Sequence, residues 1–278
     1  MKKWVSSILT FAVVLVLAAC GTSDEGKSGD KAADQKKIVV GASNVPHAEI
    51  LEQVKPLLEE KGIELEIQPF QDYVLPNKAL ADNELDANYF QHIPYLEAQI
   101  AENGYDFVNA GGIHIEPIGV YSKKYKSLDE LPEGATIIMS NSVADHGRIL
   151  TMLEKEGLIT LKEGIEKVKA TVADIEENEK NLNFDTEYEA ALLPQIYNND
   201  EGDAVLINSN YAIDAGLNPT EDAIAIEGEQ SPYVNVIAVR SGDENSEEIN
   251  ALVEVLRSKE IQDFILEKYE GAVVPVTE

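Results

Sequence analysis

After residue 38 the chain alternates short apolar runs with amphipathic segments, which is the pattern of an α/β fold. Residues 37–42 are apolar enough to predict a buried strand. Apolar residues then recur at helical spacing, which predicts a helix over residues 46–60 that ends before Gly62. Residues 63–67 alternate apolar and polar positions, as a second strand does. The order strand, helix, strand predicts a parallel sheet.

The same alternation continues and then starts again near residue 120. Such a restart indicates a second lobe, and the last two predicted helices return to the first lobe. We therefore assign residues 38–120 and 232–278 to lobe 1 and residues 121–231 to lobe 2. The other predicted elements are helices over residues 77–80, 94–103, 147–156, 210–215, 246–257 and 261–269, and strands over residues 105–108, 118–121, 136–139, 204–207 and 233–239.

The first 19 residues have the pattern of a secretory signal. Two lysines precede an apolar run over residues 5–17 that is too short to span a bilayer, and two alanines stand before Cys20, the one cysteine of the sequence. We expect cleavage before Cys20, acylation of this residue and an anchor on the extracytoplasmic face of the cell membrane. The alternative is a buried free cysteine in an ordinary N-terminal helix. Residues 20–37 are small and polar, which predicts a flexible tether.

Charge and cysteine content exclude some partners and one means of stabilisation. The formal net charge is −29 and the pI is about 4.4, so nucleic acid and anionic lipid are poor partners for the surface. A single cysteine cannot form an intramolecular disulfide, although the expected compartment is oxidising.

Aromatic rings are concentrated in residues 70–77 and 86–96, in a chain with only 6% aromatic residues. We expect these rings to lie on loops between strands and helices, where they line the crevice of an α/β lobe. The alternative is that each ring belongs to the core of a lobe. The six rings, counting an imidazole, are those of Phe70, Tyr73, Tyr89, Phe90, His92 and Tyr95.

Three polar residues are candidates for binding charged groups. Arg148 is one of only three arginines and lies at the predicted start of a helix, where it could bind a carboxylate, although an exposed arginine is the commoner case. Asn208 and Asn235 stand at the edges of two predicted buried strands. A neutral amide can bind either end of a zwitterion without burying another net charge, but it can equally cap a turn.

Several long segments resemble the methionine-binding lipoproteins of the NlpA/MetQ type, and the resemblance covers essentially the whole chain after the signal. The segments that carry it are DYVLPNKAL, DANYFQHIPYLEAQ, GIHIEPIGVYSKKYKSLDELP, LINSNYAIDAGLNP, SPYVN and the Gly271–Val273 tripeptide.

The resemblance implies a two-lobed fold of the periplasmic-binding-protein type with a ligand cleft between the lobes. It implies that Tyr73, Phe90, His92 and Tyr95 wall the side-chain pocket and that Arg148 binds the ligand carboxylate. Asn208 and Asn235 are expected to hold the α-amino and carboxylate ends. The implied function is capture of methionine, with the choice between L- and D-methionine left open. The implied partners are the permease of an ABC importer and, through it, the ATPase. The protein itself is expected to be a monomer without a cofactor or catalytic activity.

Two other functions remain as alternatives. A metal-binding lipoprotein of an ABC importer would require convergence of His47, His92, His114 with Glu116, and His146, although no His-x-x-x-His spacing occurs. An extracellular enzyme would require a catalytic motif, and the sequence contains no Gly-x-Ser-x-Gly.

Overall fold

Two large β-sheets and one two-stranded sheet organise the part of the chain that the computed structural model describes, which is residues 36–228 and 231–276. The predicted signal, Cys20 and nearly all of the predicted tether lie outside these residues. The strands in the described residues are β1 (Lys36–Ser43), β2 (Ile63–Phe70), β3 (Ala87–His92), β4 (Phe107–Ile115), β5 (Gly119–Tyr121), β6 (Thr136–Ser140), β7 (Thr160–Leu161), β8 (Ile175–Glu177), β9 (Asn183–Tyr188), β10 (Ala204–Ile207), β11 (Ala225–Ile226), β12 (Val234–Arg240) and β13 (Val274–Pro275).

Helices alternate with these strands along most of the chain. None of those in the described residues has both the length and the apolar character that a membrane-spanning helix needs. They are α1 (Glu49–Glu60), α2 (Leu75–Ala81), α3 (Ile93–Asn103), α4 (Val143–Lys155), α5 (Leu193–Asn198), α6 (Ser209–Asp214), α7 (Pro219–Asp222), α8 (Glu247–Leu256) and α9 (Lys259–Tyr269).

The first sheet has the strand order β13-β4-β12-β3-β1-β2. Strand β1 pairs in parallel with β2 and with β3, as predicted for this part of the chain. Strand β12 is antiparallel to both β3 and β4, so the sheet is mixed. The prediction of a parallel sheet is therefore wrong for the part formed by β3, β12 and β4. The strand-helix-strand pattern sets only the direction of neighbours such as β1 and β2. It does not set the direction of β12, which follows β3 and β4 by more than 100 residues.

Helices α1, α8 and α9 cover this sheet, and local sequence signals set their limits. Helix α1 buries Ile50, Leu51, Val54 and Leu58 at helical spacing. The chain then turns at Gly62, which has φ +79°, a conformation that glycine adopts without steric cost. Ser246 caps α8, because its hydroxyl accepts a hydrogen bond from the N–H of Ile249.

The second sheet has the order β11-β5-β10-β6-β9 and its own hydrophobic core. Its strands come from residues 119–226, whereas those of the first sheet come from residues 36–115 and 234–275. The chain therefore passes from the first sheet to the second after β4 and returns before β12, in agreement with the restart seen in the sequence. The boundaries proposed for the two lobes stay a prediction.

Two local predictions are wrong, and both concern candidate site residues. Strand β3 holds Tyr89, Phe90 and His92, which we expected on loops. All six residues of β3 are buried, so the strand shows no alternation of apolar and polar positions that would reveal it. Helix α4 begins at Val143 rather than at Gly147, so Arg148 is the sixth residue of the helix and not part of its first turn.

Candidate ligand-binding site

One cavity between elements of the two sheets is lined by all seven predicted ligand-binding residues. The volume inside it is about 20 Å³, which is smaller than the about 300–1,000 Å³ of typical small-molecule pockets. The seven residues are Tyr73, Phe90, His92, Tyr95, Arg148, Asn208 and Asn235, and the lining also contains Gln91, Glu116, Asp145, Ser209 and Asn210.

Tyr73, Phe90 and Tyr95 form an aromatic cage on one side of the cavity. The ring centroids of Tyr73 and Phe90 are 6.0 Å apart, and those of Tyr73 and Tyr95 are 5.9 Å apart. The Tyr95 hydroxyl donates to the backbone carbonyl of Tyr73 at 3.0 Å, which holds the segment before α2 against α3. The Tyr73 hydroxyl donates to Asn210 Oδ1 at 2.7 Å, so the cage also contacts α6, beside the second sheet. Edge contacts of this kind suit a thioether.

Two of the six aromatic rings do not line the cavity. Tyr89 is fully buried in the core of the first sheet and contacts His114. Phe70 packs against a smaller hydrophobic cluster of the first sheet and its helices. For these two rings the alternative interpretation, core packing, is therefore the one that holds.

Asp145 is the acceptor at the centre of the polar side of the cavity. Its Oδ1 lies 2.7 Å from Arg148 Nη2 and 3.0 Å from His92 Nε2, and its Oδ2 accepts from Asn208 Nδ2 at 3.2 Å. Burial alone would raise the pKa of this carboxyl, but Arg148 and the hydrogen bonds from His92 and Asn208 hold the pKa well below its usual range. Asp145 is therefore ionised throughout the physiological pH range.

The tautomer of His92 follows from its two contacts. Its Nδ1 accepts a hydrogen bond from the N–H of Tyr95 at 3.1 Å, in the N-cap position of α3. A ring nitrogen that accepts a hydrogen bond carries no proton, so the proton is on Nε2, which donates to Asp145. His92 thus both caps α3 and orients the central carboxylate.

Arg148 is buried and already has acidic partners besides Asp145. Its Nη1 lies 3.4 Å from Glu227 Oε2 and 3.3 Å from the backbone carbonyl of Glu116, and its guanidinium lies 5.0 Å from the centre of the Tyr233 ring. Burial would lower the pKa of Arg148, but Asp145 and Glu227 raise it further above its usual value. Arg148 is therefore not the exposed arginine that is the commoner case, but a buried arginine that already has acidic partners.

Two polar atoms in the cavity lining have no hydrogen-bond partner among the described residues. They are the donor Arg148 Nε and the acceptor Asn208 Oδ1. Nearly all buried polar groups in proteins are hydrogen-bonded, so an unpartnered pair in one cavity indicates groups that a ligand satisfies.

A second polar cluster borders the cavity at Glu116. Its Oε1 lies 2.7 Å from His114 Nε2 and 3.1 Å from His47 Nε2, while the N–H of Asn210 donates to Oε2 at 3.2 Å. Burial lowers the pKa of His47 to about 4 and that of His114 to about 3, and it raises the pKa of Glu116. Both imidazoles are therefore neutral near pH 7.

Among the described residues, this cluster around Glu116 is the one that most resembles the metal site that the alternative function would need. Donor atoms of His47, His114 and Glu116 lie within 4.8 Å of one another. Both Nε2 atoms already contact the same carboxylate oxygen, which makes the cluster a hydrogen-bonded network. The other two histidines lie elsewhere, because His92 contacts Asp145 and the Nε2 of His146 donates to the Ser140 carbonyl. The convergence of all four histidines that the metal-binding alternative would require does not occur in the described residues.

The model of the NlpA lipoprotein family matches residues 38–277, which is most of the chain. This chain belongs to the NlpA lipoprotein family. Its sequence similarity to individual members of the family also extends over most of the chain. The methionine-binding lipoprotein MetQ of Bacillus subtilis (strain 168) is 54% identical over 280 residues, which cover 100% of both chains.

Solved structures of relatives agree with this assignment to the NlpA lipoproteins. A putative methionine-binding lipoprotein from Bacillus subtilis is 57% identical with a TM-score of 0.86, over 87% of this chain and 99% of that chain. A nutrient binding protein from Burkholderia cenocepacia, bound to methionine, is 43% identical with a TM-score of 0.81, over 86% of this chain and 99% of that chain. The predicted family and the predicted two-lobed α/β fold of the periplasmic-binding-protein type are confirmed.

Sequence reasoning on this NlpA lipoprotein missed the two cavity carboxylates as ligand-site residues. Asp145 precedes Arg148 by three residues, a spacing that places both on one face of a helix, so the pair could have been found once the helix start was known. Glu116 entered the sequence analysis only as a metal ligand beside His114, and its other two donors, His47 and Asn210, are 69 and 94 residues away in the chain. No local pattern points to such contacts.

Proposed function

We propose that this protein is an extracytoplasmic substrate-binding lipoprotein that captures methionine and delivers it to an ABC importer. The observation that carries the proposal is the unpartnered donor Arg148 Nε and the unpartnered acceptor Asn208 Oδ1 in one cavity beside the aromatic cage. A carboxylate satisfies the donor and an ammonium satisfies the acceptor, so an amino acid suits both. An apolar thioether side chain suits the cage.

The comparisons support methionine as the amino acid. The Bacillus subtilis relative is named for methionine binding, and the Burkholderia cenocepacia protein is bound to methionine. In this proposal Arg148 binds the ligand carboxylate, and Asn208 and Asn235 hold the α-amino and carboxylate ends. Tyr73, Phe90, His92 and Tyr95 enclose the side chain.

The rest of the proposal concerns the place of the protein in the cell. Acylation of Cys20 anchors it to the extracytoplasmic face of the cell membrane, and the following tether lets it reach the permease of the importer, which carries the ATPase. The lipoprotein family to which the chain belongs supports this anchor. The protein acts as a monomer with lobes at residues 38–120 with 232–278 and at residues 121–231, and it binds its ligand without transforming it. Labelling with radioactive palmitate tests the anchor: Cys20→Ser should abolish the label and the membrane association, and their persistence would refute it.

Ligand identity is tested on protein that has been unfolded in denaturant, dialysed and refolded. Mass spectrometry of the released small molecules should find methionine. Calorimetry should then rank L-methionine, and D-methionine as a separate ligand, against norleucine, leucine and glutamine.

Norleucine replaces the sulfur by methylene at similar shape and should bind about 1 kcal/mol more weakly, which is about fivefold. Glutamine should lose more, because its amide would be buried in the aromatic cage without enough partners. Tighter binding of glutamine or histidine than of methionine would refute the methionine assignment and leave the transporter class standing.

A further inference from the structure

Two carboxylates line the cavity, and the described residues neutralise only one of them. Asp145 lies 2.7 Å from Arg148 Nη2. Glu116 is only 6% exposed, and within residues 36–228 and 231–276 no lysine or arginine nitrogen lies within 4.0 Å of its carboxylate. A buried carboxylate without a cation is unfavourable, because it has lost its hydration and gained no opposite charge. Glu116 therefore faces the cavity without an ion pair among the described residues. The charge of Arg148 acts on it only from a greater distance, where it lowers the pKa that burial raises.

The groups around Glu116 hold its carboxylate in place without neutralising it. His114 Nε2 and His47 Nε2 lie 2.7 Å and 3.1 Å from Oε1, and the N–H of Asn210 donates to Oε2 at 3.2 Å. The His114 ring is held in turn by the hydroxyl of Tyr89 on its Nδ1. Both imidazoles are neutral near pH 7, so they are hydrogen-bond donors to the carboxylate and not counter-ions.

The acceptors near Glu116 match the donors of a primary ammonium group. An ionised carboxylate has about four acceptor sites, and the three protein donors leave one free. Asn208 Oδ1 has no partner among the described residues, and its own amide nitrogen is used by Asp145. Asn235 Oδ1 lies 3.1 Å from the same His47 nitrogen that contacts Glu116. All three residues line the cavity, and an ammonium has three N–H donors.

We propose that Glu116 is the ionic partner of the ligand's α-ammonium group, with the oxygens of Asn208 and Asn235 as its other acceptors, and that His47 and His114 are positioning residues for Glu116. This rests on the proposed function and deepens it, because it states which part of an amino acid the site requires. The ligand class is then an α-amino acid with a free, positively charged amino group. Deaminated or N-acylated analogues with the same side chain and carboxylate should be rejected.

The test compares two ligands on two forms of the full-length, ligand-stripped lipoprotein by calorimetry. The ligands are L-methionine and 4-(methylthio)butanoate, which has the same thioether and carboxylate but no amino group. The variant Glu116→Gln keeps the shape and removes the charge. Glu254→Gln is the matched control, since Glu254 is an exposed residue that pairs with Lys61 on the surface. Thermal unfolding checks that each form is folded.

The wild-type protein should bind methionine at least about a hundredfold more tightly than the deaminated analogue. Glu116→Gln should weaken methionine binding at least about tenfold and change binding of the analogue by no more than about threefold, so the preference shrinks. Glu254→Gln should change neither affinity. A purely structural role for Glu116 predicts equal losses for both ligands, and that result would overturn the proposal.

Two further results separate this proposal from the proposed function. Unchanged methionine binding by folded Glu116→Gln would refute the ammonium site and leave methionine capture standing. If the wild-type protein prefers another amino acid, the same comparison with that amino acid and its deaminated analogue tests Glu116 while the methionine assignment fails. If Glu116→Gln does not fold, the ligand preference of the wild-type protein tests the proposal instead. The proposal would be refuted if the wild-type protein bound N-acetylmethionine and the deaminated analogue as tightly as methionine.

Discussion

Replacing Asp145 by asparagine tests how far one buried carboxylate holds the polar side of the cavity together. Asp145 accepts from Arg148, His92 and Asn208 with its two oxygens. An asparagine has one acceptor oxygen and one NH₂ group in the same volume. At least one of the three donors then faces the new NH₂ group. The ion pair that Arg148 keeps among the described residues is the longer one to Glu227 at 3.4 Å.

The expected loss of stability is large for a substitution that changes no volume. Breaking a buried ion pair by removing one partner costs about 3–5 kcal/mol, because the remaining charge stays buried. For a folded unit of about 150–250 residues, each kcal/mol lowers Tm by about 2–4 °C, so Asp145→Asn should lower Tm by about 6–20 °C. The assay is thermal unfolding of ligand-stripped protein followed by circular dichroism.

The control for this experiment is Asp82→Asn, which removes an exposed i,i+4 pair with Lys78. Such pairs contribute about 0.3–0.5 kcal/mol, so Tm should fall by no more than about 2 °C. The pKa of Asp145 is held well below its usual range, so its contribution is complete above the unfolded pKa of about 3.9 and is lost only at lower pH. The difference between variant and wild type should therefore be constant from pH 5 to pH 8. A loss no larger than that of the control would refute the reasoning.

Two further predictions concern Arg148 and the buried histidines. Arg148→Lys keeps a positive charge beside Asp145 but removes the planar fork, so methionine binding measured by calorimetry should weaken about tenfold or more, and unchanged affinity would place the carboxylate site elsewhere. His47 and His114 have pKa values of about 4 and about 3 in the folded protein against about 6.5 in the unfolded chain, so the unfolded chain takes up protons first as the pH falls. Stability should be greatest above pH 6.5 and should fall as the pH is lowered from 6.5 to 4.5. Glu116 acts in the opposite direction, because burial raises its pKa and the folded protein therefore takes up this proton first. Thermal unfolding across this pH range measures how Tm changes with pH, and His47→Gln should make that change smaller. A Tm that stays constant or rises as the pH falls contradicts the account.

The sequence by itself determined those features that depend on neighbours within one element. The period of the apolar residues in α1, the glycine at position 62 and the serine cap at position 246 are local, because they reflect the conformation of a few consecutive residues. The change from one sheet to the other near residue 120 was also visible as a restart of the alternating pattern. Long segments shared with one family then named the seven cavity residues without any geometry.

Only the tertiary structure decided how those residues are paired. Asp145 and Asn208 are 63 residues apart and Glu116 and Asn210 are 94 apart, yet each pair forms a hydrogen bond. Periodicity reports which face of an element is buried, but not which element packs on it. The pairing of Arg148, the neutral state of His47 and His114 and the lack of an ion pair at Glu116 follow from burial and from contacts between distant segments, so no local pattern contains them.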